Sequence, residues 1–149
     1  IILGIFWISN NSNNTTSVDP MIKTKNLKIG DEEFPTFDIG VKYTNKWTGT
    51  DEEGNDCIIL NYNPDEFDED AADSVEDVLI NYFDYYELDD DNLLGDSQVV
   101  AHASDPESIL VVSIHRDEQT AYVKYAVCKT SSINLDSLVD YDEFFGIEE

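Results

Sequence analysis

The chain has 149 residues, 41 % of them apolar and 28 % charged, a globular composition long enough for one domain with a buried core. Its 33 Asp and Glu against 8 Lys and Arg give a formal net charge of −25. A field of that sign repels phosphate backbones and anionic headgroups, which excludes ordinary nucleic-acid binding and keeps the molecules apart in solution.

Residues 1–8, IILGIFWI, carry no charge. As a helix they span about 12 Å, well short of a bilayer core of about 30 Å. They read as the remnant of a signal anchor or transmembrane segment, with Trp7 suited to the membrane–water interface. The competing reading is a first β-strand, because several of these residues are β-branched. No Cys follows the run, so lipid attachment at that point is not expected. Residues 9–20 read as a polar linker with Asn-x-Ser/Thr acceptors at Asn10, Asn13 and Asn14. Pro20 marks a boundary, and residues 21–149 read as a single domain.

Within that domain, residues 21–30 read as a strand ended by Gly30, and Asp31, Glu32, Glu33 and Pro35 as a turn. In residues 36–44, Phe37, Ile39, Val41 and Tyr43 alternate with Asp38 and Lys42, which predicts a second strand. Lys23, Lys25, Lys28, Lys42 and Lys46 all lie in this first third; beyond it only Arg116, Lys124 and Lys129 offset the acids. Residues 48–56 are a turn by composition, and residues 57–63 a compact apolar strand. Ser74 is a good helix N-cap, with Asp77 three residues on. Val75, Val78, Leu79, Tyr82, Phe83 and Tyr86 follow at helical spacing and predict one apolar stripe, which leaves Tyr85 off it. Residues 97–103, 108–116 and 120–129 read as strands, the last two joined by a hairpin at Asp117 to Gln119. Leu135, Leu138, Val139, Tyr141 and Phe145 predict a second helix from Asn134 or Asp136.

The order is three strands, a helix, three strands, a helix. It predicts an α+β layered sandwich: a central, mostly antiparallel sheet of about six strands with two packed helices. This order, together with "FDIGVKYTNKWTG", resembles the PsbP-like fold. Members carry a Phe/Tyr-Pro-x-x-Trp segment, and here Tyr43 and Trp47 take the matching places with Thr44 where proline is usual. The resemblance implies a binding or assembly module and little chemistry.

Few residues suggest reactivity. Cys57 and Cys128 are the only cysteines and are a candidate disulfide, which in an oxidising compartment would close a loop of about 70 residues. They lack the spacing of a structural zinc site. His102 and His115 fall on separate predicted strands without metal-ligand spacing. A Cys57–His115 nucleophile pair lacks any evident oxyanion stabiliser. Asp89, Asp90, Asp91 and Asp96 follow the first predicted helix, at the negative end of its dipole, and are a candidate site for weak Ca²⁺ binding, with Glu87 in support. Their spacing departs from the EF-hand, and a solvated acidic loop is the competing reading.

The expectation is therefore a non-enzymatic, membrane-tethered domain facing outside the cytoplasm. It would act, as a monomer, on a protein or envelope component. A tethered hydrolase of extracytoplasmic substrates would instead show a deep pocket with convergent His, Ser or acidic residues. A decoy imitating nucleic acid would show carboxylates spaced regularly along one face.

Overall fold

The computed structural model describes residues 26–37, 39–89 and 96–147. The apolar stretch 1–8, the linker with its Asn10, Asn13 and Asn14 acceptors, and Asp90 and Asp91 lie outside the described residues.

The chain is α+β, as its pattern predicts. A small hairpin pairs β1 (Leu27–Ile29) with β2 (Glu32–Phe34), turning at Gly30, whose φ of +61° suits a residue without a Cβ. A second hairpin joins β3 (Asn45–Thr50) to β4 (Asp56–Tyr62). Helix α1 (Glu69–Tyr82) then carries the chain across the sheet to its far edge. There β5 (Tyr86–Leu88), β6 (Asp96–His102), β7 (Ser108–Arg116) and β8 (Ala121–Lys129) return as a meander. The last strand of the meander pairs with β4, giving one six-stranded antiparallel sheet of order β3-β4-β8-β7-β6-β5. Two 3₁₀ turns, Thr130–Ser132 and Leu135–Ser137, lead to a short helix α2 (Tyr141–Phe145).

Strand alternation sorts the sheet into two faces. One carries Ile58, Leu60, Val112, Val123 and Tyr125 against Val75 and Leu79 of α1 and Phe34 of the hairpin. The other carries Cys57, Val100, Ile109, Val111, Ala126 and Cys128 under Leu138 and Phe144 of the C-terminal segment. His102 fastens that segment: its Nε2 lies 2.7 Å from the Phe144 carbonyl and its ring stacks on Phe144. A carbonyl only accepts, so Nε2 carries the proton.

Several boundaries differ from the sequence pattern, each for a local reason. The helix N-cap lies six residues before Ser74, because Asp68 caps it by accepting from the Ala71 N–H at 2.9 Å, and Glu69 and Asp70 suit the first turn. It buries Ala71, Val75 and Leu79 and stops at Tyr82. Asp84 then takes a left-handed φ of 62°, which turns the chain. The turn inverts the aromatic pattern: Tyr85 is 4 % exposed, whereas Tyr82 stands 48 % exposed and Tyr86 opens β5. The predicted strand across residues 36–44 is absent among the described residues there. Pro35 and Gly40, at φ +83°, break it, and only Phe37 makes an isolated bridge. Thr48, Gly49 and Thr50, expected in a turn, belong to β3, where the Trp47 ring lies across Gly49 so closely that a Cβ would sit 2.7 Å from it. The predicted second helix is two 3₁₀ turns and five helical residues.

Candidate functional site

Helix α1 lies over β6 and β7. The β4 end of the same face is thus left uncovered by the helix, and the β1–β2 hairpin and residues 36–43 roof it instead. Between roof and sheet runs a half-open cleft of about 1040 Å³. Its floor is Ile58, Leu60, Tyr62 and Tyr125, with Val75 of the helix at one side. Leu27, Phe37, Ile39 and Val41 form the walls. Of the predicted alternation, Phe37, Ile39 and Val41 are partly buried in the lining although the backbone is not a strand, whereas Tyr43 is exposed and Lys42 also reaches the lining.

The roof is held by a buried charge. Glu32, 9 % exposed, accepts from the Ser104 N–H at 2.9 and 3.1 Å and from the Asp105 N–H at 3.4 Å. That one carboxylate ties the hairpin to the loop between β6 and β7. Aromatic contacts add to it: Phe34 meets Tyr125 edge-on and Phe37 stacks on Phe83.

The chemistry of the cleft is apolar within and basic at the mouth. Burial, then the neighbouring Tyr43, pushes the Tyr62 phenol up to about 12, and burial pushes Tyr125 higher still, so both hydroxyls stay neutral. Lys28, Lys42 and Lys46 stand at the rim beside Tyr43 and Thr48. The one acid in the lining among the described residues is Glu33, 3.7 Å from Lys28. Asn26 lines the wall, and its Oδ1 is buried without a hydrogen-bond partner. No His, Ser or Cys lines the cleft among the described residues.

The residues singled out in the sequence lie elsewhere and do not converge. Asp96 hydrogen-bonds Nδ1 of His115, whose Nε2 meets Asp117 at 2.9 Å, and the imidazole stacks on Tyr122. Asp96 is thus committed to a histidine. Asp89 follows β5, is exposed, and donates its N–H to the Ser137 carbonyl. Glu87 is drawn instead to Glu76 of α1, and burial, then that second carboxylate, holds Glu76 above its usual range against the hydrogen bond from Ser97. No group of three or more metal-ligating side chains is assembled among the described residues.

Cys57 and Cys128 are both free and buried, so the candidate disulfide is not formed. Cys57 stands opposite Ala126 and Cys128 opposite Ile109, which makes the cysteines diagonal neighbours. Diagonal positions lie roughly 7–8 Å apart, beyond the Cα span of about 4.4–6.8 Å that a disulfide bridges. Burial raises both thiols, Cys128 to about 11, so neither is a ready thiolate. His115 cannot activate Cys57, since both ring nitrogens face carboxylates.

The fold and the cleft define an α+β domain with a small-molecule-sized apolar site. Comparison with protein-family models, with curated proteins and with solved structures found no match to this chain. No helix among the described residues is long and apolar enough to cross a membrane.

Proposed function

We propose that the chain is a non-enzymatic binding domain, held at a membrane by its apolar leading residues and facing outside the cytoplasm, that takes an apolar ligand into the cleft. The observation that carries the reading is the apolar recess over Ile58 and Leu60, which belong to the buried core yet line a cleft roofed by a tethered hairpin and not by α1. Cores are normally closed, and a roofed apolar recess of this size is the usual form of a ligand site. Among the described residues its one acid already faces a lysine and no nucleophile–base pair lines it, which favours binding over hydrolysis. The PsbP-like fold belongs to the same reading: Tyr43 stands at the cleft mouth and Trp47 in the adjoining β3.

The test is titration with N-phenyl-1-naphthylamine, an uncharged fluorophore that brightens in apolar surroundings. One saturable site with half-saturation on the order of 10 μM is expected. Thr48→Trp, on an exposed edge-strand position in the lining, fills the cleft without entering the core and should weaken binding at least fivefold, roughly 1 kcal/mol. Absence of saturable binding, or equal binding by Thr48→Trp, overturns the reading. Placement is tested separately: sedimentation with membranes should be lost when residues 1–8 are replaced by a polar sequence.

A further inference from the structure

We propose that the cleft selects a free amphiphile with an anionic head, an alkyl carboxylate whose tail lies on Ile58 and Leu60 and whose carboxylate meets Lys42 and Lys46. The inference rests on the preceding reading of the cleft as a ligand site and adds the chemical class of the ligand.

The argument is one of charge contrast. The chain carries 33 acids and 8 cations, yet among the described residues the cleft lining holds three cations, Lys28, Lys42 and Lys46, against one acid, Glu33. Outside the lining, Lys129 also pairs with no carboxylate among the described residues, whereas the other two described cations have visible structural tasks. Lys124 reaches Asp51 at 2.9 Å and Arg116 donates from Nε to the Phe67 carbonyl at 3.0 Å. Lys28 faces Glu33. Lys42 and Lys46 pair with no carboxylate among the described residues, although the chain offers acids in great excess. Solubility does not require two uncompensated lysines beside an apolar recess in a polyanion. An anionic head at the mouth with its tail inside gives both features a use.

The tail is aliphatic because Ile58, Leu60, Ile39 and Val41 dominate the interior. The head binds at the rim because the tyrosine hydroxyls inside stay neutral. The source is a free molecule and not a bilayer surface, because a small anion meets only the rim lysines, whereas an extended anionic membrane would also face the acids that give the chain its net charge of −25.

The experiment displaces N-phenyl-1-naphthylamine from the full chain at pH 8 with decanoate and, separately, with decan-1-ol. Simple partition into an apolar site on a polyanion favours the alcohol. Decanoate is instead expected to displace the probe at about one tenth of the alcohol concentration. In Lys42→Gln/Lys46→Gln that ratio should collapse to near one, with probe fluorescence itself reporting that the cleft is folded. Equal potency of the two competitors in the wild-type chain, or an unchanged ratio in the double variant, overturns the proposal. So does binding to phosphatidylglycerol vesicles that depends on Lys42 and Lys46, which would assign the rim to headgroups. If the probe binds but carboxylate is not preferred, only the anion inference fails; if the probe does not bind, the ligand-site reading fails with it.

Discussion

His115 shows how a residue with catalytic credentials is used for structure. Its ring lies between Asp96 at Nδ1 and Asp117 at Nε2 and stacks on Tyr122 with centroids 4.9 Å apart. Partial burial disfavours the charged ring, but the hydrogen bonds it donates to Asp96 and Asp117 outweigh that and hold His115 above its ordinary value of 6.5. A proton bound more tightly in the folded state stabilises the fold. That contribution is fully present below about pH 6.5 and is lost as pH rises through the raised folded value. Thermal unfolding at pH 6 and pH 8 measures it, with His115→Asn as the reference. The wild-type chain should lose up to about 1 kcal/mol relative to the variant over that interval, a shift of about 2–4 °C. Parallel pH dependence in the two proteins would show that the imidazolium contributes nothing. Asp51 is the counterpart among acids. Burial opposes its charge, yet the Asn55 N–H and the Lys124 ammonium hold it at about 2, so its contribution persists until strongly acid conditions.

The elements differ in how plainly the sequence announces them. Strands β4 and β7 are compact apolar runs, β6 centres on Val99 and Val100, β8 alternates with period two, and all four fall where the pattern puts them. The helix shows its apolar face but hides its start, because a run of acids reads equally as loop and as first turn; only Asp68 meeting Ala71 decides between them. The cleft is harder to foresee. Its inward-facing Phe37, Ile39 and Val41 and its rim lysines are visible as an alternation and as a basic first third. What makes them a site is the position of α1 over β6 and β7, a long-range fact that local pattern does not carry. The Glu32 tie is equally non-local, joining residues 72 positions apart. A two-stranded hairpin is marginal alone, so this carboxylate should set the stability of the roof. Glu32→Ala leaves the Ser104 and Asp105 N–H groups without their acceptor, at a cost of about 1–3 kcal/mol. Chemical denaturation should show that loss, with faster amide exchange at residues 104 and 105 and weaker probe binding, while Glu32→Gln, which keeps one acceptor, falls between. Unchanged exchange in Glu32→Ala would mean that the hairpin is held by packing alone.

At the scale of the whole molecule, the net charge of −25 is spread over a domain whose described residues contain few ion pairs. Most carboxylates therefore repel one another across solvent with little local compensation. Compaction brings them closer than they stand in the unfolded chain, so the field opposes folding. Salt reduces that opposition over a defined range. The Debye length falls from about 30 Å at 0.01 M to about 10 Å at 0.1 M and about 3 Å at 1 M. The largest gain in stability should thus come below about 0.2 M NaCl, where screening first becomes shorter than the span of the domain. The contact pairs of Lys124 with Asp51 and of His115 with Asp96 are short and partly buried and lose less over the same range. Melting temperature should therefore rise steeply between 0.01 and 0.2 M NaCl and flatten above, the shape that separates screening from the ion-exclusion effects of strongly hydrated salts, which keep growing with concentration. A melting temperature independent of salt across that window would mean that the acids are already far enough apart in the fold for their repulsion not to matter, and that the polyanionic surface is neutral to stability and serves only to keep the molecules apart.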